Sequence, residues 1–118
     1  MSKKNYLKKA LKWVSSKSTY KIRSKVEGFE DTKIFTSQST SETIQPDISY
    51  LTTRGNKHFT EIALKSDQPQ KLITRWKLLS TLASMKNGTL HLLAPRGHKM
   101  FTKRLIDKYN IRAKVYSL

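Results

Sequence analysis

The sequence predicts an α/β domain in which a mixed β-sheet is flanked by helices. Three observations carry this prediction: an apolar stripe at helical spacing near the N-terminus, β-rich runs in the middle of the chain, and a regular alternation of strand and helix towards the C-terminus. The predicted element order is α-β-β-β-α-β-α-β. A chain of 118 residues is long enough for one hydrophobic core, so we expect a single domain over residues 1–118.

The first part of the chain predicts a helix, a strand and a polar loop. A helix is expected over residues 4–16, because apolar residues recur there at helical spacing: Leu7, Ala10, Leu11 and Val14. Alternating apolar and basic residues over 20–26 indicate a strand with one solvent-facing side, and 33–35 a short further strand. The Ser/Thr-rich segment 36–43 is predicted to be a mobile loop.

Two β-rich runs, 48–53 and 58–65, predict a hairpin whose turn determines how they pair. If Gly55 and Asn56 are the central residues of a two-residue turn, Tyr50 lies opposite Glu61. Asp47 then points to the opposite side of the strand pair from Lys65. A bulge near residue 46 would reverse that orientation, so both arrangements are compatible with the sequence.

The second half of the chain predicts two helices that alternate with two strands. Asp67 is the expected N-cap of a helix that carries Pro69 in its first turn, covers 70–86 and ends at Asn87 and Gly88. Residues 89–93 are almost all apolar, which is typical of a strand buried on both faces. A helix over 97–109 and a last strand over 113–116, parallel to the strand at 89–93, complete the pattern.

Charge is the most informative feature of the composition. Lys and Arg number 24 against 8 Asp and Glu, which gives a net charge of +16. Nine of these cations lie between Lys3 and Lys25, a segment without any acidic residue. This balance favours a polyanionic partner, with nucleic acid as the first candidate. An anionic membrane surface and a lysine-rich coat that only maintains solubility are the alternatives.

The remaining composition narrows the function classes. The absence of cysteine excludes disulfides, thiol catalysis and cysteine zinc sites. Neither a membrane-span-length apolar run nor the apolar core of a signal peptide is present, so a cytoplasmic location without a membrane partner is expected. The basic side chains lack a base-reading motif, which favours contacts with phosphates and affinity without sequence specificity.

Candidate phosphate contacts fall in two regions, the first predicted helix and the start of the last one. The second region benefits from the backbone N–H groups of a helix N-terminus, which favour a bound phosphate. The candidate residues are Lys3, Lys4, Lys8, Lys9, Lys12, Arg96, His98, Lys99 and Lys103.

The element order, together with Pro46-Asp47 and Ala63-Leu64-Lys65, resembles the PD-(D/E)XK or restriction endonuclease-like superfamily. The resemblance implies a restriction endonuclease-like core and a metal-dependent endonuclease in which two carboxylates hold Mg²⁺ and a lysine orients the attacking water. Asp47 and Lys65 match two of these positions, whereas Ala63 stands where the second carboxylate is expected. Glu61 is the replacement candidate, about 13 Å along the strand from Lys65.

Three functions follow from these expectations. The first is a DNA-binding domain with a restriction endonuclease-like fold that contacts backbone phosphates and whose catalysis is absent or rearranged. The second is a Mg²⁺-dependent nuclease with Asp47, Glu61 and Lys65 as catalytic residues and Asp47 and Glu61 as metal ligands. The third is a structural component of a nucleoprotein assembly, as a homodimer or within a larger complex.

Overall fold

The structure is a computed structural model that describes residues 3–17, 19–38 and 41–118. Within these ranges three helices and seven strands form in the order α1 β1 β2 β3 β4 β5 α2 β6 α3 β7. Their bounds are α1 Lys4–Ser15, β1 Thr19–Ser24, β2 Phe35–Thr36, β3 Thr43–Ile44, β4 Ile48–Thr52, β5 Lys57–Ile62, α2 Pro69–Met85, β6 Leu90–Ala94, α3 Lys99–Lys108 and β7 Ala113–Ser117.

A mixed five-stranded sheet organises the fold, in the order β1-β4-β5-β6-β7. Strands β1, β4 and β5 pair antiparallel, whereas β5, β6 and β7 pair parallel. The predicted α/β class and the parallel pairing of the last two strands are therefore confirmed. That pairing brings His91 opposite Lys114 and Leu93 opposite Tyr116.

A small antiparallel ribbon departs from the predicted element order. Strands β2 and β3 pair Phe35 with Ile44 and Thr36 with Thr43. The prediction of a loop over all of 36–43 is therefore wrong at both ends of that segment, while positions 39 and 40 lie outside the described residues. Phe35 contacts the core through an edge-to-face contact with Phe59, which ties the ribbon to the sheet.

Helices cover both faces of the sheet. The buried side of α1, formed by Ala10, Leu11 and Val14, packs in one apolar cluster with Ile62 and Leu93. The other face packs against α2 and α3 in a second cluster; its members include Phe59, Ala63, Ile73, Trp76, Leu79, Leu90, Leu92 and Leu105. Neighbouring residues of a strand point to opposite faces, and here both faces are covered by helices. Every residue of β6 is therefore buried, as predicted.

The register of the β4–β5 hairpin differs from the predicted one. Ile48 pairs with Thr60, and Leu51 with Lys57. The turn is longer than two residues: the Gly55 N–H donates to the carbonyl of Thr52, and the Thr52 N–H donates to the carbonyl of Asn56. Gly55 has φ +81°, so the loop suits a type I turn followed by a left-handed glycine. The predicted two-residue turn is therefore wrong, and each pairing shifts by three residues.

The ends of α2 show one wrong and one correct prediction. Gln68, not Asp67, occupies the N-cap position, and the Gln68 N–H donates to Oγ of Ser66 at 3.0 Å. At the other end Asn87 has φ +58°, and the Gly88 N–H donates to the carbonyl of Ala83. A Cβ at Gly88 would lie 1.5 Å from the carbonyl oxygen of Lys57, so only glycine fits there.

No helix among the described residues is both long enough and apolar enough to cross a membrane.

Candidate nucleic-acid interface and its carboxylate cluster

The hairpin register brings Asp47 and Glu61 together. Since Ile48 pairs with Thr60, the next pair outward is Asp47 and Glu61, and directly opposed residues point to the same face. The Asp47 N–H donates to Oε2 of Glu61 at 2.7 Å, and the Ile62 N–H donates to Oδ2 of Asp47 at 2.9 Å. The two-residue turn would have placed Asp47 on the opposite side of the strand pair from Glu61, so that part of the expectation is wrong.

Two cations of the protein itself occupy the carboxylate pair. Nε of Arg75, on α2, donates to Oε1 of Glu61, and its Nη2 contacts Oε2 of Glu61 at 3.2 Å and Oδ1 of Asp47 at 3.7 Å. Nη2 of Arg75 also donates to the carbonyl of Gln45. From the start of α1, Nζ of Lys3 lies 3.1 Å from Asp47 and 3.7 Å from Glu61. We call these four side chains, Lys3, Asp47, Glu61 and Arg75, the carboxylate cluster.

Burial and proximity set different protonation behaviour for the two acids. Burial, and then repulsion from Glu61, raises the pKa of Asp47 from 3.8 to about 6, against the opposing effect of Lys3. Burial acts to raise the pKa of Glu61 too, but Lys3 and Arg75 outweigh it and hold that pKa below its ordinary value. Although Glu61 is fully buried, these two cations make it the carboxylate that the cluster keeps ionised.

Arg75 was not among the site residues predicted from the sequence. The spacing of Arg75 could have indicated a buried role, because Arg75 follows Leu72 by three residues and precedes Leu79 by four. Such spacing places a residue on the same side of a helix as those apolar neighbours, and hence towards the sheet. A cation on that side of a helix requires a buried anion, and Glu61 meets the requirement.

Lys65 and Ala63 lie apart from this chemistry. Ala63 is fully buried in the cluster under α2 and α3, and its N–H donates to the carbonyl of Leu93. Lys65 is exposed beyond the end of β5, and its backbone N–H donates to Nδ1 of His98 at 2.8 Å. Among the described residues, Asp47 and Glu61 form their hydrogen bonds and ion pairs with Lys3, Arg75 and backbone N–H groups, and not with the Lys65 side chain. The structure therefore does not join the three predicted catalytic residues into one site.

A basic groove of about 800 Å³ opens beside the carboxylate cluster. We call it the α1 groove. It runs between the first half of α1 and the turn after β1, and the residues that line it are Lys3, Lys4, Leu7, Lys8, Lys25, Val26, Glu27, Gly28 and Asp47. The predicted contacts Lys3, Lys4 and Lys8 therefore share one concave surface. Cations in a groove raise the local potential more than the same charges on a convex face.

The other predicted phosphate contacts are scattered. Lys9 and Lys12 are exposed on α1 outside the groove lining, and Arg96 and Lys103 are exposed at α3. His98 accepts the Lys65 N–H, and Nζ of Lys99 donates to Oγ of Ser117 at 2.9 Å. The start of α3 is therefore basic, but two of its four candidate side chains already have partners within the chain.

A group of rings on the α1 face was not predicted. Tyr50 stacks on His58 with ring centroids 5.2 Å apart, and His58 stacks on His91 at the same separation. The ring of Trp13 lies 4.9 Å from that of Tyr116. Together Trp13, Tyr50, His58, His91 and Tyr116 form what we call the aromatic surface, which lines an opening of about 380 Å³ with Lys17, Thr52 and Thr53.

Comparison of the chain with family models, curated proteins and solved structures finds no match. Among the described residues, no group of three or more histidine or acidic side chains is arranged to hold a metal ion. The site thus consists of a carboxylate pair held by two internal cations, next to a lysine-lined groove.

Proposed function

We propose that the protein binds the phosphate backbone of nucleic acid, DNA in preference to RNA, through the α1 groove. We further propose that its core is restriction endonuclease-like and that it does not cleave its ligand. The observation that carries the proposal is the occupation of the Asp47–Glu61 pair by Arg75 and Lys3, with the groove lysines beside it.

The state of the carboxylate pair supports binding without hydrolysis. A metal-dependent nuclease needs two carboxylates open to Mg²⁺, which orients and activates water. Here Arg75 contacts both acids, and a guanidinium does not lose its charge by deprotonation. Mg²⁺ would therefore have to displace a partly buried cation that also donates to a backbone carbonyl. Neutralising the pair also removes the charge that would repel a nearby phosphate.

The α1 groove supplies the positive charge that attracts the phosphates. Its lining contains Lys3, Lys4, Lys8 and Lys25, whereas the acids in the lining are Glu27 and the neutralised Asp47. Both α1 and the turn after β1 contribute residues to this lining. Contacts with phosphates position a nucleic acid but carry little sequence information, so we expect weak discrimination between sequences.

The test is a salt titration of binding to a blunt DNA duplex, with matched variants. If six phosphates are neutralised, the slope of log K against log salt is about −5, and replacing Lys4, Lys8 and Lys25 with Gln makes it shallower by about 3. The control replaces Lys71, Lys77 and Lys86, exposed residues of α2 and its end, with Gln and changes the net charge equally. Equal losses in the two triple variants would contradict the groove, and a salt-independent wild type would contradict the function.

A second candidate, a Mg²⁺-dependent nuclease, rests on the convergence of Asp47 and Glu61 at the groove. Both carboxylates contact the same Lys3 ammonium, so they approach a common point as metal ligands do. Plasmid and single-stranded substrates are incubated with wild-type protein in Mg²⁺ and in Mn²⁺. We expect no cleavage above background; cleavage that Glu61→Gln abolishes would favour the nuclease instead.

A further inference from the structure

The aromatic surface lies at the opposite end of α1 from the carboxylate cluster. Lys3 precedes the helix and reaches Asp47, whereas Trp13 and Lys17 are near its C-terminal end. A helix of 12 residues is about 18 Å long. At about 3.4 Å per nucleotide, that length corresponds to roughly five nucleotides of one strand. One nucleic-acid ligand is therefore long enough to reach both ends.

The rings come from four neighbouring strands and from α1. Tyr50 and His58 are directly paired across β4 and β5, His91 follows on β6, and Tyr116 on β7. Tyr50 and His91 are buried and form the floor of the opening, while Trp13, His58 and Tyr116 are partly exposed at its sides. Partly exposed rings around a shallow opening are suited to stacking with a further flat ring, which at Trp13 would replace the Lys17 ammonium that lies over that ring.

Hydrogen bonds define the protonation of the two histidines. The Thr89 N–H donates to Nδ1 of His58 at 3.2 Å, so this nitrogen carries no proton. His91 Nε2, which is 3.1 Å from the same nitrogen, must then be the donor, and His91 Nδ1 accepts from the hydroxyl of Tyr116 at 3.3 Å. Burial, followed by the nearby cations, lowers the pKa of His58, and burial with His58 lowers that of His91 to about 4. Both rings are therefore neutral and held in place.

The charge around the opening is positive. Lys17 lines it, with Nζ 4.8 Å from the centroid of the Trp13 ring, and Lys114 lies opposite His91 in the β6–β7 register. The lining residues include no acid. Neutral rings that offer stacking faces, together with flanking ammonium groups, match the chemistry of a nucleotide, whose base is flat and whose phosphate is anionic.

We propose that the aromatic surface stacks unpaired bases of a single-stranded segment, so that the preferred ligand is a duplex with a single-stranded extension. This inference rests on the proposed function, because the duplex part is held in the α1 groove. The strand then follows α1, with its phosphates close to Lys17 and Lys114 and its terminal bases against Trp13 and Tyr116. The ligand class is a branched or tailed nucleic acid rather than uniform duplex.

The experiment compares a blunt duplex with the same duplex carrying an extension of about five thymidines on either strand end. Because stacking of a base on an aromatic side chain stabilises the complex, the favoured tailed duplex is expected to bind at least about 5-fold more tightly than the blunt duplex. The protein has two tryptophans, and Trp76 is fully buried. Quenching of tryptophan fluorescence by the tailed duplex, but not by the blunt one, therefore reports stacking at Trp13.

Single substitutions test the contribution of the aromatic surface to binding separately from that of the α1 groove. Trp13→Leu is expected to abolish the advantage of the tail while leaving blunt-duplex affinity unchanged. Lys17→Gln, at an exposed position where loss of folding is not a concern, is expected to reduce the advantage at least threefold. Lys9→Gln is the matched control on the same helix, exposed and outside both linings.

The outcomes distinguish the two proposals. Equal affinity for blunt and tailed duplexes without quenching would overturn the stacking proposal and leave the groove proposal standing. Absence of binding to either duplex would overturn the proposed function itself. If thymidine monophosphate alone quenches Trp13 at the same concentration as the tailed duplex, the site takes free nucleotides and the assignment to a strand is wrong.

Discussion

Replacing Asp47 with Asn is expected to stabilise the protein at neutral pH relative to the wild type. The substitution retains an oxygen that accepts the Ile62 N–H and removes the charge that Glu61 repels. The raised pKa means that burial and repulsion outweigh the attraction of Lys3 and Arg75. The ionised form of Asp47 is therefore less favourable in the folded protein than the neutral form.

The size and the direction of this effect on stability follow from the pKa shift of Asp47. The pKa of Asp47 rises from 3.8 to about 6, and a shift of two units corresponds to about 3 kcal/mol. Between these pKa values the folded state binds more protons than the unfolded state, so the wild type loses stability as pH rises through this window. The side chain is 13% exposed, so solvent screening reduces the effect only slightly.

The assay is urea unfolding at constant ionic strength from pH 4 to pH 8. The free energy of unfolding of Asp47→Asn minus that of the wild type should grow by up to about 3 kcal/mol, mostly between pH 4 and pH 6, and then stay constant. Asp107→Asn, at an exposed position of α3, makes the same change in net charge. A difference that shrinks as pH rises would refute the reasoning, because it would mean that Lys3 and Arg75 dominate the environment of Asp47.

Two further predictions concern burial and chain geometry. Arg75→Gln leaves the buried carboxylate of Glu61 without its main partner, so we expect the free energy of unfolding to fall by about 3 kcal/mol at pH 8. The decrease should be smaller at pH 5, where the acid can take up a proton. Urea unfolding measures both values. Gly88→Ala is expected to lower the free energy of unfolding by about 3 kcal/mol or more because its Cβ meets the Lys57 carbonyl, whereas Gly28→Ala, with open space but φ +96°, should lose only about 1 kcal/mol. A loss below about 1 kcal/mol in either Arg75→Gln or Gly88→Ala contradicts the corresponding argument.

The elements with strong periodicity were the predictable part of the fold. The stripe that contains Leu11 and Val14 defines α1 to within a residue, and the apolar run at 89–93 defines β6 to within one. Both signals are local, since each depends on residues within a few turns or one strand. The N-cap of α2 was predicted wrongly: Asp67 is a capping type, but the N-cap is Gln68, which makes no side-chain capping hydrogen bond.

Asp47 and Glu61 were predicted together as metal ligands, but their contacts with Lys3 and Arg75 were missed, and the geometry of this carboxylate cluster depends on one turn. The choice between a two-residue turn and a three-residue loop with Gly55 at its left-handed position decides which residue lies opposite Asp47. The aromatic surface was missed for a different reason. Its rings are separated by up to about a hundred positions in sequence and meet only once the order and register of four strands are known.

Ala63→Glu tests whether the chain is a nuclease that lacks only one ligand, as the sequence motif suggests. The structure predicts a different outcome, because Ala63 is fully buried in the apolar cluster that contains Ile73 and Trp76, and Arg75 is already engaged by Glu61. The introduced carboxyl has neither space nor a cation to pair with. We therefore expect the free energy of unfolding to fall by more than about 3 kcal/mol, with a larger decrease at pH 8 than at pH 5. We also expect no cleavage in Mg²⁺.

Ala63→Gln is the control that adds the same volume without the charge. Its loss of unfolding free energy should be smaller than that of Ala63→Glu at pH 8 and independent of pH between 5 and 8. Thermal and urea unfolding of both variants, beside a plasmid-cleavage assay, measure the two effects separately. Suppose instead that Ala63→Glu folds as well as the wild type and cleaves in Mg²⁺, and that adding Asp47→Asn abolishes this cleavage. The carboxylates are then open to metal, the internal cations do not block the site, and the site is better described as a nuclease site that lacks one ligand.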